Sequence, residues 1–214
     1  MDWYRVWALP QAVLAATIVV AVTSLIDLGT LRRAWRYDRA DAAALLATAA
    51  GVLLLGVEAV VLLGVALSLG VVVWRSSHPH MAVVGRVPGT EHFRNVSRHQ
   101  VQTTPGVLAV RIDENLFFAN AHEVETQLQQ LCAERDEPVQ RVLLIMSAVN
   151  RIDSTALEML DAFDQQLASR GQALWLAEVK GPVADRLARS ELGQRLRART
   201  ALSTHEAMQQ MRVA

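Results

Sequence analysis

Residues 42–74 constrain this chain more than any other stretch: thirty-three residues carry a single ionisable side chain, Glu58. As one straight helix they would run about 50 Å, well beyond the ~30 Å hydrocarbon core of a bilayer. Gly51, Gly56, Gly64 and Gly70 interrupt the run. The spacing therefore predicts two short helices, 42–55 and 58–74, with a turn at Gly56, Val57 and Glu58. Helices this short are expected to pack against other protein rather than lie wrapped in lipid. Gly56 and Gly64 read as places where helices approach closely. Glu58 has two readings. Its place between the two apolar halves favours a wetted turn acid at the outer interface, and the other reading is a functional intramembrane acid.

A further apolar block precedes this one. Residues 10–28 are mostly Ala, Val, Leu and Ile, with Pro10 at a position suited to a helix start. Nineteen residues are enough for a membrane span. Trp3, Tyr4 and Trp7 just upstream have the composition of an interfacial aromatic belt. The block is too long for the apolar core of a secretory signal, and no small-residue cleavage pattern ends it. Between the blocks lies GTLRRAWRYDR, residues 29–39, read as a short amphipathic segment on the membrane surface. It holds Arg32, Arg33, Arg36 and Arg39, against Arg5 alone before the first span. The positive-inside rule puts that loop in the cytoplasm. The two following helices then return the chain to the cytoplasm at Arg75.

Beyond residue 80 the composition changes. Residues 1–80 contain six arginines and five acids, whereas the rest of the 21 basic and 21 acidic residues follow. The formal net charge of zero gives no basic field to attract nucleic acid. Residues 76–104 are polar, contain Pro79, Pro88 and Gly89, and read as an extended linker with some ordered contacts. His78 and His80 flank Pro79 without a cysteine or carboxylate cluster, so a solvated turn is expected there rather than a metal site.

From Pro105 onward the pattern alternates strand and helix. A β-rich run at 107–112 is bounded by Pro-Gly and Asp-Glu-Asn, with a second short strand expected at 116–119. Helix is expected at 121–135, with Val124, Leu128 and Leu131 inward and Cys132 a buried thiol. A strand follows at 139–146, its near-continuous apolar run implying cover on both faces. A helix at 154–169, a strand at 173–179, a helix starting at Pro182, an edge strand near 199–202 and a helix at 203–211 complete the series. Such alternation implies a small mixed or parallel sheet with packed helices.

The loop SAVNRIDST, 147–155, joins a central strand to a helix. Asp153, Ser154 and Thr155 all suit an N-cap, and Thr155 with Glu158 has capping-box spacing. The same place, a strand's carboxyl end beside a helix N-terminus, also suits an anion or phosphate. No nucleophile–base pair, metal cluster or phosphate-cradling glycine loop points to an enzyme, and no cofactor is expected.

Several motifs together resemble the C-terminal part of SulP-family anion transporters. They are LPQAVLAA from Leu9, GVE at Gly56 to Glu58, RSSHPH followed by VGRVPGTEHFRNV, and PGVLAVRIDENLFFANA from Pro105. The last resembles the opening of a STAS domain, the module also found in bacterial anti-sigma-factor antagonists. The resemblance implies about three membrane spans in 1–75, a linker at 76–104, and an α/β STAS domain with a mixed sheet in 105–214. It further implies a multi-pass protein of the inner (plasma) membrane with a cytoplasmic STAS domain. The family's substrate anion binds between half-helices of spans that match nothing here. The resemblance therefore implies the C-terminal portion of a secondary anion transporter of the sulfate, bicarbonate or carboxylate class, not transport-competent alone. Its expected partners are the lipid bilayer, a second copy or a complementary transporter polypeptide, and a protein bound by the STAS domain. The alternative is a membrane-tethered STAS interaction switch. In the antagonists a D-S-[ST]-G-L motif carries a phosphorylated hydroxyl at its third position. Here Asp153, Ser154, Thr155, Ala156 and Leu157 fill it, placing Thr155 at the acceptor position and Ala156 where glycine is usual.

Overall fold

The structure is a computed structural model that describes residues 12–21, 35–36, 39–135 and 137–213. They fall into two compact units, Met1–Gly70 and Val71–Ala214. In the first, helix α1 covers Ala12–Ala21 and α2 covers Arg39–Leu55. Helix α3, Val57–Ser77, begins there and runs on into the second unit. The aromatic residues Trp3, Tyr4 and Trp7, the ends of the expected first span and most of the arginine-rich segment lie outside the described residues.

The break falls at Gly56, where φ is +86°, a left-handed conformation that glycine adopts without a Cβ clash. Nothing lies within 4 Å of where its Cβ would be, so Gly56 serves the turn rather than close packing. Gly51 takes the packing role: a Cβ there would meet Val60 at 3.0 Å, and Val60 is buried. Among the described residues one helix, Val57–Ser77, is long and apolar enough to cross a membrane by itself. Its 21 residues span about 31 Å. The 17 residues of Arg39–Leu55 span about 25 Å.

The second unit is built on a six-stranded sheet in the order β2-β1-β3-β4-β5-β6. Its strands are Met81–Arg86, Phe93–Asn95, Val107–Ile112, Arg141–Ile145, Ala173–Ala177 and Thr200–Ala201. Strand β1 pairs antiparallel with β2 and β3, whereas β3 to β6 run parallel. Between them lie α4 (Ala121–Ala133), α5 (Ser154–Ser169), α6 (Gly181–Leu187) and α7 (Glu191–Leu196), and α8 (Thr204–Val213) follows the last strand.

Period-two alternation divides the central strands between two cores. Leu108, Val110, Val142, Leu144, Leu174 and Leu176 face Val124, Leu128, Leu160, Phe163 and Leu196 of the helices on one side. Ala109, Leu143, Ile145, Trp175 and Ala177 face Ala207 and Met211 of α8 on the other.

Two expectations are corrected. The stretch read as linker contributes β1 and β2, residues 81–95, to the sheet. Its strand MAVVGR is short, and the flanking His-Pro and Pro-Gly pairs masked its alternation. No second strand forms at 116–119. Leu116 makes one parallel bridge to Ile152, and Phe117 to Asn120 then form a turn closed by Asn120 N–H donating to Phe117 O at 3.0 Å. The helix expected from Pro182 is followed by an additional one, α7, capped by Ser190 Oγ accepting from Gly193 N–H at 3.1 Å.

Candidate functional site

Because β3 and β4 are parallel neighbours, their carboxyl ends open at the same edge of the sheet. Two loops leave there, 113–120 and 146–153, and their backbones are stitched together. Leu116 N–H donates to Arg151 O at 3.1 Å, and Asp153 N–H donates to Leu116 O at 3.2 Å. Asn115 Oδ1 accepts from Asn150 N–H at 2.9 Å and Arg151 N–H at 3.1 Å. The loops thus behave as one rigid ledge at the N-terminus of α5.

Asp153 is the N-cap of α5, with extended backbone. Its Oδ1 accepts from Ala156 N–H at 2.9 Å and its Oδ2 from Phe118 N–H at 2.8 Å. One carboxylate therefore caps the helix and holds the neighbouring loop. A negative side chain is favoured at this end by the helix dipole. Ser154 and Thr155 occupy the first turn and are exposed. Their hydroxyls have no hydrogen-bond partner among the described residues, and Glu158 completes no capping box. The expected choice among three caps resolves to Asp153 alone. Ala156 is fully buried within regular helix, so the position usual for glycine needs no left-handed backbone here.

Several residues at this edge were not singled out in the sequence. Asn120 is fully buried. Its Nδ2 donates to Asn115 O at 2.7 Å and to Ser76 O at 3.0 Å, while Oδ1 accepts from Phe117 N–H at 3.0 Å. It thereby joins the end of α3 to the ledge. Lys180 Nζ donates to Asn150 Oδ1 at 2.6 Å, and Arg186 donates to Ile152 O. Two cations are thus anchored to the loop before α5. Phe118, 71% exposed, stands on the ledge with its ring edge-on to Phe117. The asparagines were legible only as turn formers, because their partners are distant in sequence.

Other candidates resolve differently. Glu58 is exposed in the first turn of α3, directly after the Gly56 break. His78 Nδ1 donates to Trp74 O at 3.0 Å, and His80 Nδ1 donates to Asp113 Oδ2 at 2.9 Å. Asp113 also accepts from Arg111 Nε at 2.5 Å and Nη2 at 2.9 Å. The Arg111 guanidinium holds the Asp113 carboxyl below its ordinary range, with His80 adding to the effect. Cys132 is partly buried, and that burial pushes its thiol upward, away from the reactive thiolate. Among the described residues no three His, Cys, Asp or Glu side chains gather as a metal site would require.

Residues 98–207, just over half the chain, match the STAS domain family. Sulfate transporter 4.1, chloroplastic, from Arabidopsis thaliana is 34% identical over 192 residues. That alignment covers 85% of this chain and 28% of the transporter. High affinity sulfate transporter 2 of Stylosanthes hamata is 28% identical over 194 residues, covering 86% of this chain and 29% of its own length. The chain therefore spans less than a third of these relatives. Among solved structures, the murine Solute Carrier 26 family member A9 anion transporter superposes with a TM-score of 0.82 over 95% of this chain and 33% of its own. Identity there is 19%, so that likeness speaks for the fold. The sheet order, the capped helix at its parallel edge and these matches lead to one conclusion: the chain belongs to the STAS domain family and is homologous to SulP-type sulfate transporters.

Proposed function

We propose that this chain is the C-terminal portion of a SulP-type secondary anion transporter and that its STAS domain regulates or assembles the transporter. One observation carries the reading: similarity to sulfate transporters runs through 85% of the chain, across both the apolar helices and the sheet domain. In this reading residues 1–75 form about three membrane spans, and the sheet domain that follows, from strand Met81–Arg86 onward, is cytoplasmic. The protein resides in the inner (plasma) membrane beside a second copy or a complementary transporter polypeptide. Its cargo is an anion of the sulfate, bicarbonate or carboxylate class.

The 214-residue polypeptide does not transport by itself on this proposal. Inverted-repeat transporters form their site where two repeats meet, and the residues here supply too little of either. Liposomes loaded with the purified chain should take up no labelled sulfate or bicarbonate above empty vesicles. Saturable uptake by the chain alone would overturn this statement. Restoration of uptake by a co-reconstituted polypeptide carrying the preceding spans would support it.

A second reading, a membrane-tethered interaction switch, is favoured by the exposed Thr155 hydroxyl at a helix N-terminus, which has no hydrogen-bond partner among the described residues. It requires that phosphorylation of Thr155 change partner binding. Phosphorylated and unmodified protein with equal affinity for every captured partner would exclude it.

A further inference from the structure

At the opposite end of β3 from the ledge, a cleft of about 260 Å³ opens between the sheet and α8. Its polar lining includes Arg86, Gln102, Thr104, His205, Gln209 and Arg212, and no carboxylate of the described residues lines it. Arg86 ends β1 and is partly buried. Its Nε is fully buried and meets no hydrogen-bond acceptor. A guanidinium N–H shut away from water without an acceptor is unfavourable and calls for a missing partner. Neither Arg86 nor Arg212 forms an ion pair among the described residues.

The backbone builds this cleft deliberately close. Arg86 N–H donates to Gln102 O at 2.9 Å, and Gln102 N–H donates back to Arg86 O at 2.8 Å. That pairing depends on Gly85, where a Cβ would lie 2.8 Å from Val101 Cγ2 and 2.9 Å from Gln102 O. Across the cleft, His205, Gln209 and Arg212 fall at helical spacings of four and three and share one face of α8. The Gln209 amide donates to His205 Nε2 at 2.8 Å. His205 Nε2 lies 3.8 Å from Glu91, whose side chain is largely exposed. Two arginines, amide and hydroxyl donors and a buried unfilled N–H form a site for negative oxygen atoms.

We infer that this cleft binds a tetrahedral oxyanion group, sulfate or phosphate, between Arg86 and Arg212. The inference rests on the cleft's own chemistry and stands independently of the transport reading. The group is either a free inorganic ion or a phosphate carried on a small molecule.

The test is calorimetric titration of the full chain in detergent at ionic strength held constant with chloride. The probes are inorganic sulfate, inorganic phosphate and ATP. At least one should bind saturably, and Arg86→Met should weaken that binding by about tenfold or more, the loss of a charge-assisted contact. Arg212→Gln, an exposed substitution that folding tolerates, should weaken it in the same direction. Sulfate or phosphate binding identifies the free ion, whereas binding by ATP alone identifies a carried phosphate. No saturable binding of any probe, or wild-type affinity in both variants, overturns the inference.

Discussion

Thr155 and Asp153 are neighbours with opposite roles. Asp153 is spent on two backbone N–H groups, so Asp153→Ala should cost about 1–2 kcal/mol through loss of the cap alone. Thr155 carries no such duty. Thr155→Ala and Thr155→Glu should both leave the unfolding free energy within about 0.5 kcal/mol of wild type. A phosphate at Thr155 would be favoured by the helix dipole and repelled by Asp153, so folding should change little while partner affinity changes. Heavy destabilisation by both substitutions, measured by thermal denaturation, would make Thr155 structural after all. Asn120 is the more sensitive residue: Asn120→Ala strands two carbonyls and one N–H in the interior. It should lower stability by about 2–3 kcal/mol and increase amide exchange at Phe117. Of these residues, Asp153 and Thr155 were legible in the sequence because a cap and a phospho-acceptor are local patterns. Asn120 and Phe118 were not, because their partners are set by the meeting of two loops.

At the scale of elements, ion pairs tie together strands and helices that the apolar pattern announced and others that it did not. The runs at 107–112 and 141–145 were readable because both faces of those strands are covered. The strand Phe93–Asn95 was not, because its short FRN segment is half exposed and polar. Asp164, nearly fully buried on α5, accepts from Arg195 Nε at 3.2 Å and Arg199 Nη1 at 3.1 Å. Removing it costs Arg195 and Arg199 one charge-assisted contact each, while Asp161 and the Leu174 carbonyl still accept from them, and Asp164→Ala should destabilise by about 1–3 kcal/mol in denaturant titration. Asp113 joins the end of β3 to His80, just before β1. Its folded carboxyl lies below the ordinary range chiefly through Arg111. The resulting stability is present above the unfolded carboxylate value of about 4 and is lost as pH falls through the depressed one. The difference in melting temperature between wild type and Asp113→Asn should therefore shrink on acidification below about pH 4.

For the whole molecule, the apolar helices and the sheet domain make different demands on their surroundings. Val57–Ser77 exposes nearly every side chain, with Leu62, Val65, Leu69 and Val72 among them. Such a surface is unstable in water, and the chain should stay with membranes through alkaline carbonate extraction. A reporter fused after Ala214 should be active only in its cytoplasmic form. Release into the soluble fraction, or a reporter active outside the cytoplasm, would refute the topology.

The two outermost strands carry one more consequence. Strand β2 has three residues and β6 has two, while the apolar strands lie between them. An open sheet edge is a template on which a foreign strand can grow, and its hold increases with the number of free backbone groups it offers. These edges offer too few for a lasting zipper. Lasting association between copies of the sheet domain therefore falls to side chains rather than to growth of the sheet.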